Sequence, residues 1–125
     1  QGDTARPPVT MCAVVADLSD EDIVKIAAHY EAKPFVAAKQ DFNADLARAG
    51  EAVHKEHCDR CHSDGGANPE DEAGILAGQQ MGYMKLTFAQ FANGTRQQPN
   101  KMKEKMDLLS ADDTKALLHY YASQQ

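Results

Sequence analysis

Two cysteines and a histidine fall within five consecutive positions, Cys58-Asp59-Arg60-Cys61-His62. A C-x-x-C-H run suits the attachment of a c-type haem. Two thiols three positions apart on a tight turn can each add to a vinyl group of the porphyrin, and the imidazole that follows is placed to ligate the iron. Other chemistries use parts of the same run. C-x-x-C alone serves redox disulfides and zinc sites, and His54 and His57 stand near enough to His62 to suggest a zinc or copper cluster. A zinc ribbon needs a second pair at similar spacing, and the remaining cysteine, Cys12, is solitary and far upstream. A redox motif belongs among alternating strands and helices, which this chain does not offer. Haem attachment is the reading that survives, with Cys58 and Cys61 as covalent anchors and His62 on the iron.

Helices must position these residues. Ser19-Asp20-Glu21-Asp22 has the form of a helix N-cap with acidic first-turn residues, and Ile23, Ile26, Ala27 and Tyr30 follow at helical spacing. That helix should stop before Pro34. A second amphipathic helix is expected over Asp45 to Cys58, delivering the haem motif at its C-terminal end. Gly65-Gly66-Ala67-Asn68-Pro69 reads as a loop. From Gln79 to Asn93 the chain carries Tyr83, Leu86 or Met84, Phe88 and Phe91 on one broad face, with Gly94 as a C-cap candidate. Arg96 to Asn100 returns to loop, and Ser110-Ala111-Asp112-Asp113 opens a final helix marked by Leu117, Leu118 and Tyr121. Residues 1 to 10, with Arg6-Pro7-Pro8, read as an extended arm. Nothing alternates for long in the strand period, so the expected class is all-α.

A length of 125 residues suits one domain with a modest core to which a buried cofactor would add. No apolar run approaches a membrane span, and no charged-then-apolar leader stands at Gln1, so membrane insertion is not expected and any signal peptide is expected to have been removed. The formal charge of -6 argues against nucleic acid as a partner. Acidic residues collect at Asp20-Glu21-Asp22, Glu70-Asp71-Glu72 and Asp112-Asp113, whereas Lys101, Lys103 and Lys105 crowd one stretch just after Arg96. Such runs are commonly solvated faces, but an asymmetry of this kind also orients docking.

An internal echo runs through the chain. Met11, Leu18, Ser19, Asp22 and Tyr30 repeat the offsets of Met102, Leu109, Ser110, Asp113 and Tyr121: Leu seven after Met, Ser eight, Asp eleven, Tyr nineteen. Five matches at one register, two of them capping patterns, point to a duplicated unit. No C-x-x-C-H precedes Met11. The reading is therefore the tail of one haem unit over residues 1–40, followed by a complete monohaem domain over residues 41–125.

From about Ala47 onward the chain resembles a class I cytochrome c, most closely the C-terminal half of the dihaem members. The resemblance rests on the haem motif, Gly50 eight positions before Cys58, Leu76-Ala77-Gly78-Gln79, then Tyr83, Phe88, Phe91, Gly94, Arg96 and the closing Leu-Ser helix. Ile75-Leu76-Ala77-Gly78-Gln79 and the ending Tyr121-Ala122-Ser123-Gln124-Gln125 are similar to the haem subunits of flavocytochrome c sulfide dehydrogenases. Three positions depart from the pattern. His54 stands where an aromatic residue usually packs on the last helix, Ser63 replaces the glycine after the haem histidine, and Gly74 replaces a proline whose carbonyl normally meets the histidine's second nitrogen.

The resemblance implies a class I fold around one covalent haem c, with a methionine opposite His62. Five methionines compete. Met81 and Met84 lie on the helix after Gly78 and are expected in the core. Met11 matches the ligand register of the incomplete unit and is expected to pack as core or to mark a lost site. Met102 stands eight before Ser110, the spacing that the family uses, in a loop after Pro99 able to bend over the haem. Met106, one turn later, is its alternative. Tyr83, Phe88 and Phe91 are expected to line the haem pocket, and Arg96 either to reach a propionate or to lie free on the surface. Cys12 is expected buried and inert rather than joined to Met11 and His29 at a metal.

A His/Met haem suits electron transfer rather than oxygen chemistry. The resemblance implies a periplasmic subunit that takes electrons from a flavin-containing sulfide dehydrogenase subunit and passes them to a small soluble cytochrome, with no catalysis by this chain alone. A free shuttle cytochrome and a haem sensor or peroxidase-like protein with a labile sixth ligand are the alternatives.

Overall fold

In the computed structural model residues 10–125 are described, and among them every regular element is helical. The arm expected over residues 1 to 10 lies, but for Thr10, outside the described residues. The chain divides into two compact units, Gln1–Phe35 and Val36–Gln125.

The first unit carries α1 (Met11–Val15) and α2 (Asp20–Glu31). Thr10 caps α1 by accepting the Ala13 N–H at 3.3 Å. Ser19 and Asp22 close a reciprocal capping box at the start of α2, satisfying backbone donors that the first turn leaves free. Neither helix buries a residue. Cys12 is accordingly exposed, against the expectation of a buried thiol. Met11 is 70% exposed and so does not pack as core. An isolated five-residue turn has too few neighbours to enclose either side chain.

The second unit is built on a crossing of α3 (Ala44–His57) with α7 (Ala111–Ser123). Asn43 caps α3 through the Leu46 N–H, and Ser110 with Asp113 repeats the capping box on α7. Ala47, Gly50 and His54 form the buried stripe of α3, at the three- and four-residue spacing of one helical face. Gly50 makes the crossing possible. A Cβ at that position would collide with the Ala116 carbonyl and stand 2.7 Å from Tyr120 Cβ, so the two backbones meet where only glycine leaves room. From α7, Ala116, Leu117, Tyr120, Tyr121 and Ala122 are buried.

Helix α5 (Met81–Ala92) packs on α7, with α4 (Ser63–Gly66), a single turn, and a 3-10 turn at Pro69–Asp71 between α3 and α5. The broad face expected on α5 divides. Met84 and Phe88 are buried, Phe91 packs beside them, and Tyr83 and Leu86 are exposed by 48% and 57%. Met84, Thr87, Phe88 and Phe91 fall within one arc of about 100° around the helix, and Tyr83 and Leu86 lie outside it. Asn93 ends α5 and Gly94 follows at φ 74°, the left-handed C′ position that favours glycine.

The stretch around Met102 differs from expectation. Asn100–Met106 forms helix α6 rather than a loop, and Met102 sits in its first turn. Pro99, at φ −58°, is preset to lead into a helix, and the residues after Asn100 are all good helix formers. Lys103 and Asp107 pair across one turn at 2.7 Å.

Candidate haem-attachment site

Helix α3 ends at the haem motif. Cys58 is its C-cap and donates its N–H to the His54 carbonyl at 2.8 Å. The chain then turns tightly, the Cys61 and His62 N–H groups both reaching the Cys58 carbonyl, at 3.1 and 3.0 Å. Neither Cys58 nor Cys61 is in a disulfide; Cys58 is half-buried and Cys61 exposed. Burial pushes the Cys58 thiol up, partly offset by the Tyr121 hydroxyl. His62 is half-buried, and its ring makes no hydrogen bond among the described residues. Two free thiols and an uncommitted imidazole on one closed turn are a donor set that fits covalent haem with one axial nitrogen. Among the described residues no group of three or more His, Cys, Asp or Glu is placed to hold a metal ion, so His54, His57 and His62 do not form such a cluster.

The wall behind the motif is aromatic. His54 is 1% exposed, with its ring centroid 5.3 Å from that of Tyr120 and 5.6 Å from that of Tyr121. It therefore does what an aromatic residue would do there and adds a polar link, Nδ1 sharing a hydrogen bond with the Tyr121 hydroxyl at 2.9 Å. Nε2 faces Asp59 Oδ1 at 3.4 Å. Burial pulls the His54 pKa down against the opposing pull of Asp59, favouring the neutral ring. Tyr121 is held well above the ordinary phenol range by burial first and the Cys58 sulfur second.

Past the motif the chain folds back. Gly66, at φ 84°, accepts the Leu76 and Ala77 N–H groups at 2.8 and 3.2 Å, and a Cβ on it would stand 2.9 Å from Leu76 Cβ. Ser63 is tied to Asp71 and Asn68 by side-chain hydrogen bonds, contacts that sequence patterning did not suggest. Gly74 is exposed, with open space about its α-carbon.

Of the remaining site candidates, Phe88, Phe91 and Met106 share one groove. Arg96 lays its guanidinium over Phe91, 5.5 Å from the ring centroid. Met102 and Met106 are both half-buried. Met106 packs against the core cluster and, with Met81, Phe88, Leu109 and Leu118, lines a groove of about 690 Å³ between α5, α6 and α7 to which Cys58–His62 contribute nothing.

A helix pair of this kind, with a C-x-x-C-H turn leaving the end of its first member, defines a c-type cytochrome. The chain belongs to the family described as cytochrome c oxidase, cbb3-type, subunit III, whose model matches residues 45–120. Membership implies covalently bound haem c and haem-based electron transfer. Among solved structures the chain is similar to reduced recombinant cytochrome c4 from Pseudomonas stutzeri, at TM-score 0.74 and 23% identity over 100% of this chain and 71% of that one. The likeness establishes the class I cytochrome c fold. A thiosulfate dehydrogenase (TsdBA) from Marichromatium purpuratum, in its as-isolated form, is also similar, at TM-score 0.67 and 26% identity over 94% of this chain. The match spans only 28% of the dehydrogenase chain. No curated protein matches the chain in sequence. No helix among the described residues is long and apolar enough to cross a membrane.

Proposed function

We propose that this chain is the periplasmic electron-accepting subunit of a dehydrogenase for an inorganic sulfur compound, sulfide in particular, with a flavin-bearing subunit as its donor. The observation that carries the haem assignment is the closed Cys58–His62 turn, with its two unpaired thiols and an imidazole, held against α7 by the buried His54. Haem bound there supplies a one-electron ferric/ferrous couple. Cys58 and Cys61 would anchor it, and His62 and Met102 would ligate its iron. Met102 is preferred to Met106 because it stands eight positions before Ser110, the spacing used in the family that the chain resembles. Tyr83, Phe88, Phe91 and Arg96 are the residues proposed to flank the haem.

The sulfur assignment is favoured by the flavocytochrome-like Ile75–Gln79 run and ending, together with the 26% identity to part of a thiosulfate dehydrogenase. Lys101 and Lys105 are exposed on α6 beside Met102, where they would steer an acidic partner, a small soluble cytochrome being the proposed acceptor. The repeated α1–α2 unit, with its capping box and exposed apolar residues, is proposed to be the remnant of a second cytochrome unit.

Purification from native membranes-free extract tests this reading. A yellow partner that co-purifies and reduces the haem when sulfide is added is the expected result. Reduction by thiosulfate without flavin would replace the flavoprotein with a different donor, and a monomer reduced equally by unrelated donors would overturn the subunit assignment in favour of a free shuttle.

A further inference from the structure

We infer that Asp71, acting with Ser63 and Asn68, is a positioning residue for the His62 imidazole. The inference deepens the proposed function and rests on His62 being an axial ligand. The plane of an axial imidazole follows from how the chain is held on both sides of it. On the upstream side the Cys58–His62 turn does this. Downstream, the first residue available is Ser63, and Asp71 grips it with a single carboxylate.

Asp71 Oδ2 accepts the Ser63 backbone N–H at 2.6 Å, and the Ser63 hydroxyl lies 2.9 and 2.8 Å from Oδ1 and Oδ2. The Asn68 amide closes the ring, Nδ2 donating to Ser63 Oγ at 2.9 Å and to Asp71 Oδ1 at 3.1 Å. Asn68 is fixed in turn by accepting the Glu70 N–H at 3.0 Å. All three side chains are half-buried, where hydrogen bonds to a charged carboxylate are stronger than neutral ones.

The backbone shows why such a grip is needed. Directly after Ser63 the chain takes three successive left-handed residues, Asp64 at φ 53°, Gly65 at 70° and Gly66 at 84°. Asp64 adopts that conformation without glycine's freedom, so it persists only where its neighbours over-determine it. Asp71 fixes the near side of this bend, and Gly66, bonded to Leu76 and Ala77, fixes the far side. Releasing Asp71 would let the bend relax into His62. Groups beyond the first ligand that orient a histidine tune the metal it binds.

Ferric holoprotein is the material for the test, read by the paramagnetically shifted haem-methyl resonances, whose order and spread follow the imidazole plane, and by the midpoint potential. Asp71→Ala and Ser63→Ala should each change the methyl pattern and shift the potential. Asp71→Asn, which keeps an oxygen to accept the Ser63 N–H, should restore most of the wild-type pattern. If Asp71→Ala does not load haem, Ser63→Ala carries the comparison, because it retains the backbone contact. Wild-type methyl shifts and potential in the variants, with only the melting temperature lowered, would overturn the positioning role. Failure of the underlying reading is separable: a wild-type spectrum without a bound imidazole would dismiss His62 as a ligand and this role with it.

Discussion

His54 Nδ1 and the Tyr121 hydroxyl meet at 2.9 Å inside the α3–α7 crossing, each residue 1% exposed, so a polar contact stands where apolar packing would ordinarily serve. His54→Ala removes that hydrogen bond and the ring contacts with both tyrosines. The expected loss is about 2–4 kcal/mol of unfolding free energy. His54→Phe restores packing but strands the Tyr121 hydroxyl, and should recover only part of the loss. Urea unfolding of the haem-loaded protein, followed by far-ultraviolet circular dichroism, separates the two variants.

Met102→Ala should abolish the sulfur-to-iron charge-transfer band at the red end of the ferric spectrum while leaving haem covalently attached. Met106→Ala should keep the band and lower stability, since Met106 packs on the core cluster. A band that survives the first substitution and disappears in the second would exchange their roles.

Asp113 closes the capping box of α7, and its hydrogen bonds from the Ser110 hydroxyl and backbone N–H hold its carboxyl below the usual range. A folded-state pKa lower than the unfolded one means that the unfolded chain binds more protons as the medium is acidified. The stabilisation is therefore complete above the ordinary carboxylate pKa of about 3.9. It is lost as pH falls through the lower folded value. Melting temperature measured from pH 6 down to about pH 2 should fall less steeply at the acid end for Asp113→Asn than for the wild type. The variant should also begin less stable at neutral pH.

Lys101 and Lys105 bear on rate rather than stability. With Lys103 already paired to Asp107, they are the lysines of α6 left to act on a partner. Replacing both by Glu should slow electron exchange with an acidic partner by roughly tenfold at low ionic strength and flatten its salt dependence. Equal rates at low salt would remove this surface from the docking assignment.

Caps and turn residues made much of the fold legible in the sequence. Ser19 with Asp22, Ser110 with Asp113, and Gly94 announce helix ends through local hydrogen bonds or backbone angles, which depend on a few neighbouring residues. The haem motif was legible for the same reason, being a five-residue pattern. What local pattern did not yield depends on distant partners. The exposure of Cys12 and Met11 follows from what surrounds α1, and the division of Tyr83 from Met84 follows from where α7 lies. The Ser63–Asp71 contact joins residues eight apart across a bend that composition marks only as loop. At α6 the error was local, because Pro99-Asn100 reads equally well as a turn or as a helix start.

Gly78 has a wider consequence. Its N–H goes to the Tyr121 carbonyl and its own carbonyl receives the Ala38 N–H, both at 2.8 Å, while Gln125 Nε2 reaches the Gln40 carbonyl at 2.7 Å. The segment that enters the haem unit and the one that leaves it are thereby stitched at a single seam. A unit whose entry and exit lie side by side can be spliced into another polypeptide, or circularly permuted through a short linker, without its interior being disturbed. Modularity of that sort lets one cytochrome unit be strung beside another, or fused to an enzyme, as an interchangeable part.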